Sequence, residues 1–101
     1  LGENTADNCG IRIAHAAWLR LERELHHKVS EQAERQFFLS YAEGWCSNWS
    51  DAAMRLIVQT NPHAPPHFRV NGVLQNVPEF QKAYSCKSGA PMAPAKRCRV
   101  W

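Results

Sequence analysis

The sequence predicts a mainly α fold. Three stretches carry apolar residues at the three- and four-residue spacing that places them on one face of a helix. Ser30 and Ser50 stand just before two of these stretches, where a serine side chain can cap the first turn. No low-complexity tract or internal repeat breaks this pattern. A chain of 101 residues corresponds to one domain or to part of one.

The first helix is predicted from about Gly2 to about His26. Glu3 and Asp7 lie one turn apart, on the face that continues into its apolar stripe. Inward carboxylates are costly unless they are paired, hydrogen-bonded or bound to a metal, and no obvious cationic partner lies nearby in the sequence. The stripe consists of Gly10, Ile11, Ala14, Trp18, Leu21 and Leu25.

The second and third helices begin at their serine caps. The second has Glu31 in its first turn, where the helix dipole favours an acid, and it ends near Cys46. Its buried face is predicted to hold Ala33, Phe37, Phe38, Tyr41, Ala42 and Trp45. The third is short and runs through Ala53, Met54, Ile57 and Val58.

Prolines mark the second half of the chain. The segment "TNPHAPPHFRVNG", residues 60 to 72, contains three of them, so the sequence predicts a stiff loop that ends in a turn at Asn71-Gly72. Pro78 suits the first turn of a last short helix through Phe80 and Tyr84. Residues 85 to 101 are predicted to form an irregular tail, tied down through Cys86 and Cys98.

Charge and hydropathy argue against a nucleic-acid partner and against a membrane span within these residues. The net charge is +3, and the basic residues of the tail have no aromatic residues interleaved, which indicates a solvated segment and no nucleic-acid partner. No apolar run approaches the roughly 20 residues of a membrane span, and no signal peptide opens the chain. Because the chain begins inside a predicted helix, we expect it to be a piece of a longer protein.

Four cysteines, Cys9, Cys46, Cys86 and Cys98, suggest disulfides and an oxidising compartment. Their spacing fits neither a zinc ribbon nor a redox motif, and three intrachain pairings are possible. Asn48 opens an N-glycosylation sequon with Trp49 and Ser50. Cysteines and sequon together favour an extracellular location, secreted or on a cell surface.

Two polar residues of the proline loop are functional candidates. His63 lies where the chain is stiff enough to position a histidine accurately, and Arg69 follows six residues later. His67 is predicted to be a surface residue, and His26 and His27 a solvated helix end. His15 borders the apolar stripe and is expected to be a satisfied core or boundary residue.

Several segments resemble the neprilysin family of zinc metalloendopeptidases, which includes the endothelin-converting enzymes. The motif "GENTADNCG" resembles the family's G-E-N-x-A-D-N-G-G, and the remaining matches are "QFFLSYAEGWC", "HAPPHFRVNGVLQN", "EFQKAYSC" and "CRVW". The resemblance covers essentially the whole chain and makes Trp101 the expected C-terminus. It implies the C-terminal part of a thermolysin-like (gluzincin) catalytic domain that cleaves peptides with one Zn²⁺ ion.

The resemblance also implies a role for each candidate. Glu3 matches the third zinc ligand, on the helix of residues 2–26, and Asp7 matches the aspartate that orients a zinc-bound histidine. His63 matches the donor to the oxyanion, and Arg69 matches the arginine that binds a substrate carbonyl, both in the loop of residues 60–72. Cys46, Cys86 and Cys98 would pair with cysteines upstream, in the remainder of the same protein. Most animal members are membrane-anchored, so a secreted and an anchored protein both fit.

The sequence also departs from the family. It contains no H-E-x-x-H motif, so these 101 residues alone should be inactive. Cys9 stands where the family has glycine. Asn61 stands where many members have an aspartate, and that change should leave His63 less readily protonated. One alternative is therefore a non-catalytic ectodomain that acts as a receptor, antigen or binding partner. Another is an independent helical module with all cysteines paired internally, which the inward carboxylates argue against.

Overall fold

The computed structural model of the protein describes residues 2–98, which form helices and connecting segments without a strand. This confirms the mainly α prediction for that part of the chain. Leu1 and the end of the "CRVW" motif, with Trp101, lie outside the described residues. The helices are α1 Gly2–Glu24, α2 Glu31–Glu43, α3 Asp51–Thr60, α4 Pro66–Leu74 and α5 Pro78–Ala83.

The predicted caps are formed. Ser30 Oγ accepts a hydrogen bond from the Ala33 amide at 3.1 Å, and Ser50 Oγ accepts one from the Ala53 amide at 3.3 Å. Each bond satisfies one of the amides that a helix leaves without a partner in its first turn. The sequence pattern therefore predicts the starts of α2 and α3 correctly.

The core lies where α1, α2, α4 and α5 meet. Phe38 at its centre is 1% exposed, and α2 packs against α5 while α1 packs against α4. Arg35 of α2 donates from Nε to the carbonyl of Ala83 at 2.6 Å, and Tyr84 donates back to the Arg35 carbonyl at 2.9 Å. The other buried members of this cluster are Ile11, Val73, Leu74, Val77 and Ala83.

The predicted stripe of α1 is only partly correct. Ile11 is buried, but Leu21 and Leu25 are half exposed, and the second buried residue of the helix is His15. The shielded line therefore runs through Asp7, Ile11 and His15 at four-residue spacing, because α4 contacts Asp7 and α2 contacts His15. Periodicity detects an apolar face but not how much of it a neighbour covers.

The predicted loop of residues 60 to 72 is wrong in its second half. Only residues 61–65 are irregular, and α4 begins at Pro66. Proline fits the first helical position because the amide hydrogen it lacks would have no partner there. Asn71 and Gly72 are thus helical rather than a turn, and Arg69 is a helix residue.

Residues 85–98 are irregular, as the sequence predicts. The backbone turns through Ser85 at φ 51° and Gly89 at φ 85°, and the Gly89 amide donates to the Ala93 carbonyl at 2.8 Å. Ala93 is buried and Met92 contacts the core cluster, so this part of the tail packs against the helices. Across residues 2–98, no helix is both long and apolar enough to cross a membrane.

Candidate functional site

The packing of α1 against α4 brings together the four residues that the sequence singles out. Glu3 pairs with His63, and Asp7 pairs with Arg69. The two acids come from the first two turns of α1, the histidine from the loop at 61–65, and the arginine from the start of α4. The prediction of two inward carboxylates is correct for Asp7, which is 11% exposed and has Arg69 as its cationic partner, but Glu3 is half exposed, at 46%. Both partners are far away in the sequence.

The pair of Asp7 and Arg69 is well shielded from solvent. Arg69 donates from Nε to Oδ2 and from Nη2 to Oδ1, both at 2.6 Å, while the side chains are 14% and 11% exposed for Arg69 and Asp7. This two-point geometry fixes orientation as well as charge. The hydrogen bonds that Arg69 donates to Asp7 raise the pKa of Arg69 above its ordinary value, although burial acts against them.

Asn61 and Glu3 hold the ring of His63 from opposite sides. Asn61 Oδ1 accepts from the His63 backbone amide and lies 2.9 Å from both that nitrogen and Nδ1, while Nε2 lies 2.9 Å from Glu3 Oε2. Because a backbone N–H can only donate, the oxygen end of the Asn61 amide faces His63, and Nδ1 carries a hydrogen. Nε2 is therefore the ring nitrogen that faces Glu3.

Two aromatic residues at the end of α2 surround Arg69, and the sequence does not predict either contact. The guanidinium carbon of Arg69 lies 3.9 Å from the centroid of the Trp45 ring. Tyr41, one turn earlier, donates from its hydroxyl to the Arg69 carbonyl at 2.9 Å. Burial, reinforced by the charge of Asp7, raises the pKa of Tyr41. The four-residue spacing of the two rings is the only sequence signal that points to a shared contact.

Asn76 is a second residue whose contacts the sequence does not reveal. Its Nδ2 donates to Asn8 Oδ1 at 3.1 Å and to the Gly72 carbonyl at 3.0 Å, and its Oδ1 accepts from the Cys98 amide at 3.1 Å. One side chain therefore joins α1, α4 and the tail, next to the turn of α1 that carries Asp7.

The other histidines have different environments. His15 is 5% exposed, its Nε2 lies 2.6 Å from Glu34 Oε2, and its ring lies against Trp18 and Phe37, which confirms a satisfied core residue. His26, His27 and His67 are exposed, as predicted.

The cysteines and the sequon give no further constraint. Asn48 is exposed, and its glycosylation stays a prediction. No disulfide joins any two of Cys9, Cys46, Cys86 and Cys98, all of which the structure describes. The disulfide-tied tail also stays a prediction.

A zinc site cannot be completed from residues 2–98, because no group of three His, Cys, Asp or Glu there could hold a metal ion. Glu3 nevertheless fits a single ligand. Its side chain is 46% exposed, so an oxygen can be reached from solvent, and Asp7 stands one turn behind it. A carboxylate oxygen is a common zinc ligand, and such a site needs three protein ligands.

The chain belongs to peptidase family M13, a family of metallopeptidases, because the model of that family matches residues 1–100. It is 44% identical over 106 residues to an endothelin-converting enzyme homolog of Locusta migratoria and 42% identical over 107 residues to neprilysin-1 of Caenorhabditis elegans. It is also 39% identical over 106 residues to membrane metallo-endopeptidase-like 1 of Mus musculus. These relatives confirm the resemblance to the neprilysin family.

The comparisons cover the whole chain but only a small part of each relative. The matches span 100%, 99% and 100% of this chain and 15%, 14% and 14% of the three relatives. The chain therefore corresponds to about one seventh of their length. No solved structure matches it significantly.

Proposed function

We propose that the protein is a zinc-dependent metalloendopeptidase that cleaves peptides, and that these residues supply its third zinc ligand and its substrate-binding groups. The main supporting observation is that Glu3 and Asp7 of α1 pair with His63 of the loop at 61–65 and with Arg69 of α4. Each matches a family position with a chemical role, and their proximity is what a shared active site requires.

In this proposal Glu3 holds zinc together with two histidines from outside these 101 residues. Its half-exposed carboxylate at the start of α1 supports the assignment. When bound, zinc supplies Lewis acidity toward water and the peptide carbonyl. The fold around it is proposed to be thermolysin-like, with an H-E-x-x-H helix elsewhere in the protein.

Asp7 is proposed to orient one of those histidines by accepting its ring N–H. The bond to Arg69 does not exclude this role. Asp7 accepts one hydrogen bond at each oxygen, and an ionised carboxylate has about four acceptor positions. The pair with Arg69 also fixes the carboxylate in place, which is what orientation of a second group demands.

His63 is proposed to donate from Nε2 to the oxyanion that forms at the scissile carbonyl. Asn61 contacts Nδ1 and the backbone amide of His63, so Nε2, which lies 2.9 Å from Glu3 Oε2, is the nitrogen proposed to donate. Arg69 is proposed to donate to a neighbouring carbonyl of the substrate. Its burial and fixed plane suit a donor that must not reorganise during the reaction.

The location and the covalent links of the protein are further proposals. We expect it to act outside the cell, with Cys46, Cys86 and Cys98 joined to upstream cysteines and Asn48 glycosylated. Exposure of Asn48, Cys46 and Cys98 is compatible with both modifications. Peptides are the proposed substrates, whether the protein is secreted or membrane-anchored.

The competing function is a non-catalytic ectodomain, for which the sequence offered Asn61 and Cys9. The geometry at Asn61 weakens that case, because its oxygen accepts from His63 at the distance a hydrogen bond requires. An intact H-E-x-x-H elsewhere in the protein would remove the alternative, and a broken one would favour it.

The test replaces one histidine at a time in the full-length protein. His63→Ala should lower kcat on a cleaved peptide by roughly a hundredfold or more while zinc content is unchanged, because one oxyanion donor is lost. His67→Ala is the matched control, since His67 is exposed on the same segment and has no proposed role. A His63→Ala protein as fast as the wild type would contradict the assignment.

A further inference from the structure

The indole ring of Trp45 lies against one face of the Arg69 guanidinium. The guanidinium carbon lies 3.9 Å from the ring centroid, well within the distance at which a cation is attracted to an aromatic face. Trp45 follows the end of α2, where its amide donates to the Ala42 carbonyl at 3.1 Å. This bond fixes the backbone of Trp45 beside Arg69.

Tyr41 supports the same arrangement from behind. Its ring meets that of Trp45 edge to face, with centroids 6.5 Å apart, and its hydroxyl donates to the Arg69 carbonyl at 2.9 Å. Asp7 binds the Nε edge of the guanidinium. Arg69 is thus held at its main chain, at one edge of its head group and over one face.

These contacts leave a defined set of donors. A guanidinium has five N–H groups, and Asp7 takes one on Nε and one on Nη2. The two hydrogens of Nη1 and the second on Nη2 point away from that carboxylate. A rotation of the guanidinium plane about its hydrogen bonds to Asp7 would move these three donors. The Trp45 ring opposes this rotation because it lies against the guanidinium.

We propose that Trp45, supported by Tyr41, is a positioning residue that fixes the plane of Arg69 so that its Nη1 edge faces a carbonyl ligand. The proposal rests on the proposed role of Arg69 in binding substrate. In this proposal Trp45 affects substrate binding through Arg69, by fixing its plane. Two measurements test it, and the first does not depend on peptidase activity.

The first measurement is the rate at which phenylglyoxal modifies Arg69 in the full-length protein, followed by peptide mass spectrometry. Arg20, whose side chain is 77% exposed, is the internal standard. Trp45→Leu should make Arg69 several-fold more reactive relative to Arg20, because one face is uncovered. Trp49→Leu is the control, because Trp49 is exposed and its indole nitrogen donates to Ser47. This variant should leave the ratio of the Arg69 and Arg20 rates unchanged.

The outcome that overturns the proposal is an equal Arg69 rate in wild type and Trp45→Leu. If that variant does not fold, Trp45→Phe replaces it, since it keeps an aromatic face of smaller area. We then expect a smaller rise in reactivity, and no rise would equally overturn the proposal.

The second measurement is a double-mutant cycle on a fluorescence-quenched peptide that the wild type cleaves. Trp45→Leu should lower kcat/KM about tenfold in the Arg69 background and should have almost no effect in the Arg69→Gln background. Equal losses in both backgrounds would mean that Trp45 acts by a route independent of Arg69. If the wild type cleaves no peptide, the proposed function fails, and the modification rates alone decide the role of Trp45.

Discussion

Asp7 and Arg69, 62 residues apart in the sequence, form the most shielded ion pair of the site. The family motifs identify both residues, but the local sequence pattern cannot reveal their contact, because that contact depends on how α4 packs against α1. Asn61 with His63 is the opposite case: the partners are two residues apart, and the contact follows from their proximity.

Removal of Arg69 should destabilise the protein far more than removal of an exposed arginine. Arg69→Gln leaves the Asp7 carboxylate without its charged partner, which costs on the order of 3 kcal/mol for a buried pair. Arg20→Gln is the control, because its pair with Glu24 is 77% and 59% exposed and is worth about 0.5 kcal/mol or less. Thermal unfolding of the two full-length variants makes the comparison, and similar midpoints would contradict the burial of the pair.

Tyr41 gives the site a pH dependence in alkaline solution. Its burial and the nearby Asp7 raise the pKa of the phenol above the ordinary value of about 10. The folded state therefore holds this proton more tightly than the unfolded chain does. The resulting stability is fully present below about pH 10 and is lost as pH rises through the higher folded pKa.

Tyr41→Phe should therefore show a shallower loss of thermal stability above about pH 10 than the wild type. The variant should also be less stable at neutral pH by about 1 kcal/mol, because the hydrogen bond to the Arg69 carbonyl is lost. Melting curves from about pH 8 to 11 measure both effects. Parallel curves for the two proteins would contradict a raised pKa.

At the scale of elements, α4 is where sequence reasoning fails most clearly. Three prolines predict a loop, but Pro66 occupies the position that a helix tolerates, so the chain resumes helical structure within the proline segment. The caps of α2 and α3, by contrast, are local signals and are predicted correctly.

Substitution of Gly72 distinguishes a helix from the predicted turn. A Cβ added there meets no atom within 4 Å, so Gly72→Ala should stabilise the protein by about 0.5 to 1 kcal/mol through higher helix propensity. Gly89→Ala is the matched control and should destabilise, because Gly89 has φ +85°. A loss of stability in Gly72→Ala would contradict a helical α4.

His15 joins α1 to α2 and should be essential to that contact. It is buried, its Nε2 lies 2.6 Å from Glu34, and its ring stacks on Phe38. His15→Ala should cost about 2 to 4 kcal/mol, through the cavity and the unpaired carboxylate. His27→Ala, whose side chain is 60% exposed beside Glu22, should change stability by about 0.5 kcal/mol or less. Equal effects would contradict the packing.

For the whole molecule, the mainly α class of residues 2–98 follows from sequence, and the packing that brings the four candidate residues together does not. The predicted stripe of the first helix includes residues that remain half exposed, such as Leu21 and Leu25. An apolar face shows that a partner is favourable but not which element provides it. The long-range pairs of the site are missing from the sequence reasoning for the same reason.

The most direct measurement is the zinc content of the purified full-length protein and its Glu3→Val variant. The wild type should contain about one zinc ion per molecule, and Glu3→Val should lose most of it, because one of three protein ligands is removed. Glu24→Val, an acidic residue of the same helix paired with exposed Arg20, should keep its zinc. Full zinc occupancy in Glu3→Val would contradict the central claim that α1 carries a zinc ligand.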